Sequence, residues 1–190
     1  MTVIRTFVAI QPSADALEGI AAIQEELRGA GADVRWVKPE AMHLTLQFLG
    51  DVRESEIAGV ERSLSSSFAE QEPFDVECRG LGVFPNQRKP RTLWVGLFGE
   101  GLGQLAERTE IALAPLGFPP ADREFRPHLT LGRLRSMHGF DAVAAALRSS
   151  SERSFGSSRI DRTILYRSDL RPTGSIYTVL ATFPFAGVKL

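Results

Sequence analysis

Hydrophobic and polar residues change rhythm several times along the chain, and each change marks an element. Ile4 to Ile10 is apolar and β-rich, with Phe7-Val8-Ala9-Ile10 at its centre, and reads as a strand. Gln11-Pro12-Ser13 stops it, and Ser13 suits a helix N-cap. Leu17, Ile20, Ala21, Gln24 and Leu27 then follow helical spacing, and Gly29 and Gly31 end that helix. Arg35-Trp36-Val37-Lys38-Pro39 leads into a second strand, His43 to Leu49, after which Gly50-Asp51 is expected to turn the chain. Ile57, Val60, Leu64 and Phe68 lie on one stripe of a second helix. Phe74, Val76 and Cys78 alternate as a strand running to Phe84, and Thr92 to Phe98 forms the next, across a turn at Pro85–Arg91. Gly99 and Gly101 precede a third helix through Leu102, Leu105, Ala106, Thr109, Leu113 and Leu116. Gly117-Phe118-Pro119-Pro120 ends it, and His128 to Leu134 is a strand. Phe140, Val143, Ala144 and Leu147 outline a fourth helix, and the serine-rich run from Ser149 to Ser158 reads as a loop or frayed edge. Ile160 to Tyr166 and Ser175 to Phe183 are expected as closing strands, separated by a loop from Ser168 to Gly174.

This order repeats. Strand, helix, strand, helix, strand runs from 4 to 84 and again from 92 to 166. The middle strand of each half carries one tetrapeptide, His43-Leu44-Thr45-Leu46 and His128-Leu129-Thr130-Leu131, 128 − 43 = 85 positions apart. An aromatic and then a proline precede each copy, Trp36 and Pro39 in one, Phe125 and Pro127 in the other. The pattern predicts two similar lobes related by a pseudo-twofold. The lobes would be intertwined in one domain spanning 1–190, with one tetrapeptide from each facing a central cleft.

The repeated tetrapeptide also carries chemistry. Residues i and i+2 of a strand share a face, so each copy offers one imidazole beside one hydroxyl while its leucines turn to the core. Two imidazoles with ordinary pKa values of about 6.5 can divide acid and base duties near neutrality. Two hydroxyls can donate to the oxygens of a tetrahedral anion, and a phosphodiester fits that description. A lone histidine on a half-apolar strand is ordinarily structural, but this chain has 3 histidines and two of them sit in the copies, which favours function. The third, His138, has Phe140 rather than threonine two residues on and reads as a surface turn residue.

Composition narrows the alternatives. The 190 residues, 43% hydrophobic with a net charge of −1, suit a globular unit and argue against strong non-specific nucleic-acid binding. A short or terminal nucleic-acid substrate stays open, since Arg88-Lys89-Pro90-Arg91 is either a solvated loop or a phosphate-facing edge. The single cysteine, Cys78, excludes an internal disulfide and any multi-cysteine metal site, and reads as a buried strand residue. There is no apolar run of about 18 residues, no glycine-rich phosphate loop and no metal-ligand cluster. The expectation is a cytoplasmic monomer without metal or cofactor, away from membranes.

Taken together, these residues resemble the two-histidine (2H) phosphoesterase superfamily, and within it the RNA 2′,3′-cyclic phosphodiesterase family, also called LigT-like 2′-5′ RNA ligases. The resemblance spans nearly the whole chain and implies an α+β fold, two pseudo-symmetric lobes of antiparallel sheet with outer helices around a central cleft. It runs from Arg5-Thr6-Phe7-Val8-Ala9-Ile10 through Arg35-Trp36-Val37-Lys38-Pro39-Glu40 into His43–Gly50, then Gly80–Pro85, Arg126–Arg133 and Leu170–Tyr177. It implies hydrolysis of RNA 2′,3′-cyclic phosphate ends to 2′-phosphates without a metal, with His43 as proton donor and His128 as proton acceptor. It places Arg133 on the phosphate, although strict alternation would aim Arg133 away from His128 unless Gly132 permits a bulge. Phe48 and Phe84 are either base-stacking or core residues. Two other readings compete: reversible 2′-5′ RNA ligation by the same histidines, and a non-catalytic module that grips nucleotide ends. Turnover separates the last from the others.

Overall fold

The computed structural model describes residues 2–171 and 174–188. The chain runs β1 (Val3–Ile10), α1 (Ala14–Gly29), β2 (Val34–Trp36), β3 (Leu44–Arg53), α2 (Glu54–Phe68), β4 (Phe74–Phe84) and β5 (Thr92–Phe98). It continues with α3 (Gly101–Leu113), β6 (His128–Leu134), α4 (Phe140–Ser149), β7 (Ser154–Ile160), β8 (Arg162–Arg171) and β9 (Gly174–Pro184). Two antiparallel sheets result, ordered β3-β1-β8-β9 and β2-β6-β5-β4-β7.

The halves exchange strands. β4 belongs to the first half in sequence but pairs with β5 of the second, while β8 pairs with β1. Neither sheet is therefore built from one half alone. The repeat that sequence identity barely displays is explicit in the register. Phe7↔Phe48, Val8↔Gln47, Ala9↔Thr45 and Ile10↔Leu44 of β1–β3 match Thr92↔Arg133, Leu93↔Gly132, Trp94↔Thr130 and Val95↔Leu129 of β5–β6. Every member of the second set lies 85 positions after its counterpart, as 92 − 7 and 133 − 48 both give.

A common core joins both sheets and all four helices, with Ile20, Leu64, Leu105 and Val143 from the helices packed with Val8, Leu44, Val95 and Leu129. The tetrapeptide leucines are the anchors: Leu44, Leu46, Leu129 and Leu131 are all buried. Burying each contributes about 2 kcal/mol, and a one-residue slip would expose them. Their burial thus fixes the polar face of each strand toward the cleft. Cys78 is buried in the same core, and burial pushes its thiol up to about 11.

Four expectations are corrected. Gly50-Asp51 does not turn the chain: β3 continues to Arg53, and Gly50, at φ 73°, sits at a bulge in the β1 ladder. A left-handed residue can widen a strand as well as reverse it. The serine-rich run is an ordered edge strand from Ser154, because Phe155 and Ile160 point inward and Ser158 Oγ accepts the Ser13 N–H at 2.7 Å. The expected strand Ile160–Tyr166 is two strands, β7 ending in one sheet and β8 beginning in the other. The loop expected over Ser168–Gly174 is largely ladder, with Ser168↔Tyr177 through Arg171↔Gly174 paired; Pro172 and Thr173 lie outside the described residues. Two smaller differences follow local geometry. Leu116 falls in a 3₁₀ turn after α3, closed by Gly117 at φ 88°, and Val34–Trp36 pairs with β6 as a three-residue strand too short to leave a periodic signal.

Candidate active site

The two histidines come from different sheets, His43 just before β3 and His128 at the start of β6, and both line one cleft. Each is held by the same local device. His43 Nδ1 lies 2.9 Å from the Ala41 carbonyl oxygen, and His128 Nδ1 lies 2.6 Å from that of Arg126, in both cases two residues back. A carbonyl oxygen only accepts, so Nδ1 carries a proton and donates it. Nε2 of each ring is thereby left to exchange a proton with whatever occupies the cleft.

Their surroundings are aromatic but differ. The His43 ring stacks on buried Phe7, with centroids 4.7 Å apart, and meets Tyr177 edge-on at 4.9 Å. Tyr166 also stacks on Phe7, at 5.2 Å, and lies 6.1 Å from the His43 ring. His128 meets Phe84 edge-on at 4.9 Å, with Trp94 at 6.4 Å. Burial lowers the pKa of both histidines; the carbonyl contacts oppose this. Charge on His128 pushes His43 lower still. Burial also raises the pKa of Tyr166.

Thr45 and Thr130 line the cleft beside their histidines, as alternation requires. The position of Arg133 follows from a bulge. Trp94 pairs with Thr130 and Leu93 with Gly132, so Leu131 is the extra residue. The inserted position reverses the alternation beyond it and brings Arg133 to the cleft with His128 and Thr130. The same bulge falls at Leu46, the matching leucine, and brings Phe48 to the cleft. Phe48 is 64% exposed, so it is not core. Phe84 is half-buried against His128 and Trp94 and does not line the cleft. The cationic turn at Arg88–Arg91 lies outside the cleft lining, as does His138. Among the described residues no three His, Cys, Asp or Glu side chains gather as a metal site, and no helix is long and apolar enough to cross a membrane.

The sequence reading missed the packing partners Phe7, Trp94, Tyr166 and Tyr177. Tyr166 and Phe84 occupy matching places, opposite Phe7 and Thr92 in their ladders, so the repeat would point from one to the other. That correspondence requires knowing that β8 joins β1, which nothing local encodes.

Two antiparallel sheets, each presenting one His-x-Thr strand to a shared cleft, define a two-histidine phosphoesterase. The model of the LigT like Phosphoesterase family matches residues 10–94 and 97–177, and the chain belongs to that family. An RNA 2′,3′-cyclic phosphodiesterase of Methanothermobacter thermautotrophicus is 34% identical over 181 residues, covering 95% of this chain and 98% of the relative. One from Archaeoglobus fulgidus is 38% identical over 180 residues, covering 94% and 99%. Among solved structures, TT0787 of Thermus thermophilus superposes with a TM-score of 0.82 at 28% identity, covering 97% of this chain and 99% of its own. E. coli LigT complexed with 3′-AMP superposes with a TM-score of 0.74 at 25% identity, covering 97% and 99%.

Proposed function

We propose that this chain hydrolyses RNA 2′,3′-cyclic phosphate ends to 2′-phosphomonoesters by paired acid–base catalysis. One observation carries the reading: two imidazoles, each pinned through Nδ1 to a carbonyl two residues back, each with a threonine hydroxyl beside it, lining one cleft. The full-length relatives that are RNA 2′,3′-cyclic phosphodiesterases support the choice of substrate. Thr45, Thr130 and Arg133 hold the phosphate. His128 Nε2 takes a proton from water as its oxygen bonds to phosphorus. His43 Nε2 gives a proton to the 3′ oxygen as the P–O3′ bond breaks. Phe48, exposed at the cleft wall, offers its ring to the base. Both histidines come from one chain, so a monomer contains the whole site.

The test is incubation of the pure protein with nucleoside 2′,3′-cyclic phosphates in EDTA, with identification of the product isomer. The expected product is the 2′-phosphate, formed at an undiminished rate. Binding without product would leave a nucleotide-end binding module instead, and activity lost to EDTA and restored by a divalent ion would sink the two-histidine reading. The roles are separated by a diester with a nitrophenolate leaving group, which departs without protonation. His43→Ala then keeps substantial activity while His128→Ala does not; the reverse pattern exchanges the roles.

A further inference from the structure

Val34–Trp36 forms β2, and it brings a second arginine to the site. Arg35 lies directly across from Arg133 in the β2–β6 ladder. Cross-strand partners share a face, with Cβ atoms about 5 Å apart, and like charges so placed destabilise a sheet. Both side chains are exposed and both line the cleft. Eight other arginines lie within 4.0 Å of a carboxylate: Arg28, Arg53, Arg79, Arg126, Arg153, Arg159, Arg162 and Arg167. Among the described residues, 19 − 8 = 11 arginines have no such partner, and three of them, Arg35, Arg133 and Arg135, stand together, although Glu40, Asp51, Glu110, Asp122 and Glu124 line the same cleft. These three cations, with Leu134, also line a second, smaller and open depression that no carboxylate borders. Arg133 and Arg35 border both spaces, so the depression adjoins the catalytic cleft.

An uncompensated cluster of this kind, next to a site that holds one phosphate, calls for a second anion. We propose that Arg35 and Arg135, with Arg133 on the catalytic side, form a subsite for the 5′-phosphate of the terminal nucleotide. The inference rests on the hydrolase reading of the cleft. In an RNA chain that phosphate is the diester linking the last nucleotide to the one before it. It sits one ribose away from the 2′,3′-cyclic phosphate, as the depression sits one arginine away from the cleft. The subsite makes the protein a reader of polynucleotide ends: a nucleoside cyclic phosphate with a bare 5′ hydroxyl leaves the cations unmatched. The chain's near-zero net charge suits such a local device, which grips one added phosphate and no long stretch of backbone.

The experiment compares three substrates: adenosine 2′,3′-cyclic phosphate, the same compound carrying a 5′-phosphate, and the dinucleotide ApA ending in the cyclic phosphate. At low salt, kcat/KM for the second and third exceeds that for the first by about tenfold, the scale of one charge-assisted contact. The ratio falls toward one as salt rises, because the cations are exposed. It also collapses in Arg35→Gln and Arg135→Gln, and Arg35→Lys restores part of it. Equal rates on all three substrates in the unaltered protein would overturn the subsite. So would a dinucleotide preference that the 5′-phosphorylated mononucleotide does not share, since the second nucleoside would then be what is recognised. An equal loss on all three in Arg35→Gln would place Arg35 on the reacting phosphate and also overturn it. No turnover on any of them overturns the hydrolase reading itself, an outcome distinct from the others.

Discussion

At the residue scale, the site depends on where each imidazole keeps its proton. The carbonyls of Ala41 and Arg126 fix Nδ1 as the donor, so chemistry in the cleft falls to Nε2. His43→Ala and His128→Ala are each expected to lower kcat by about 10²–10⁴-fold, the contribution of a positioned acid or base, and steady-state kinetics with circular dichroism as a fold control would check this. The pH dependence has a definite sign. A neutral His128 gives a rate that rises with pH, and a protonated His43 gives one that falls. Burial pulls both below their ordinary 6.5, so the bell of kcat/KM, which reports the free protein, is centred below pH 6.5. The limbs belong to the coupled pair and not to single residues. The bell of kcat lies higher, since a bound phosphate anion favours both imidazolium forms. A kcat/KM optimum above pH 7 would contradict this order.

At the element scale, the bulge within each histidine strand does the placing. It falls on the second leucine of both tetrapeptides, and it turns Arg133 and Phe48 into the cleft. Glycine matters where another element leans on the same strands. A Cβ on Gly82 would collide with the indole of Trp94, whose ring packs against Phe84 and His128. Gly82→Ala is therefore expected to displace the indole. The cost is about 1–3 kcal/mol of stability, with catalysis falling alongside as His128 loses its support. Thermal unfolding, tryptophan fluorescence and kcat read these together. Gly103→Ala, in a helix with nothing within 4 Å, is the matched control and should be neutral or slightly stabilising. Loss of activity in Gly82→Ala without any change in tryptophan environment would refute the link.

For the whole molecule, the buried histidines tie stability to pH. Their folded-state pKa values lie below the unfolded value, so below about 6.5 the unfolded chain binds more protons. Their contribution is present above that pH and is lost as pH falls toward the folded values. The urea midpoint should therefore drop between pH 7.5 and 5.5, and the drop should shrink in a His43→Phe variant; an unchanged drop would assign it to other groups. The same molecule divides cleanly into what local chemistry encodes and what it does not. The hydrophobic rhythm carried the four helices, most strands and the polar face of both tetrapeptides, because buried leucines and alternation act over a few residues. A duplicated His-x-Thr in a chain with 3 histidines was enough to single out His43, Thr45, His128 and Thr130. Tertiary structure decided the rest. Strand exchange between the halves set Tyr166 and Tyr177 around Phe7 and His43, and pairing of β2 with β6 set Arg35 opposite Arg133. The bulge at Leu131 turned Arg133 to the cleft, and the continuous ladder kept Gly50 from reversing the chain. These outcomes rest on pairings between residues some 40 to 160 positions apart, such as Phe7 with Phe48 and with Tyr166. Burial and hydrogen bonding over the whole sheet select such pairings, and no short window of sequence contains that selection.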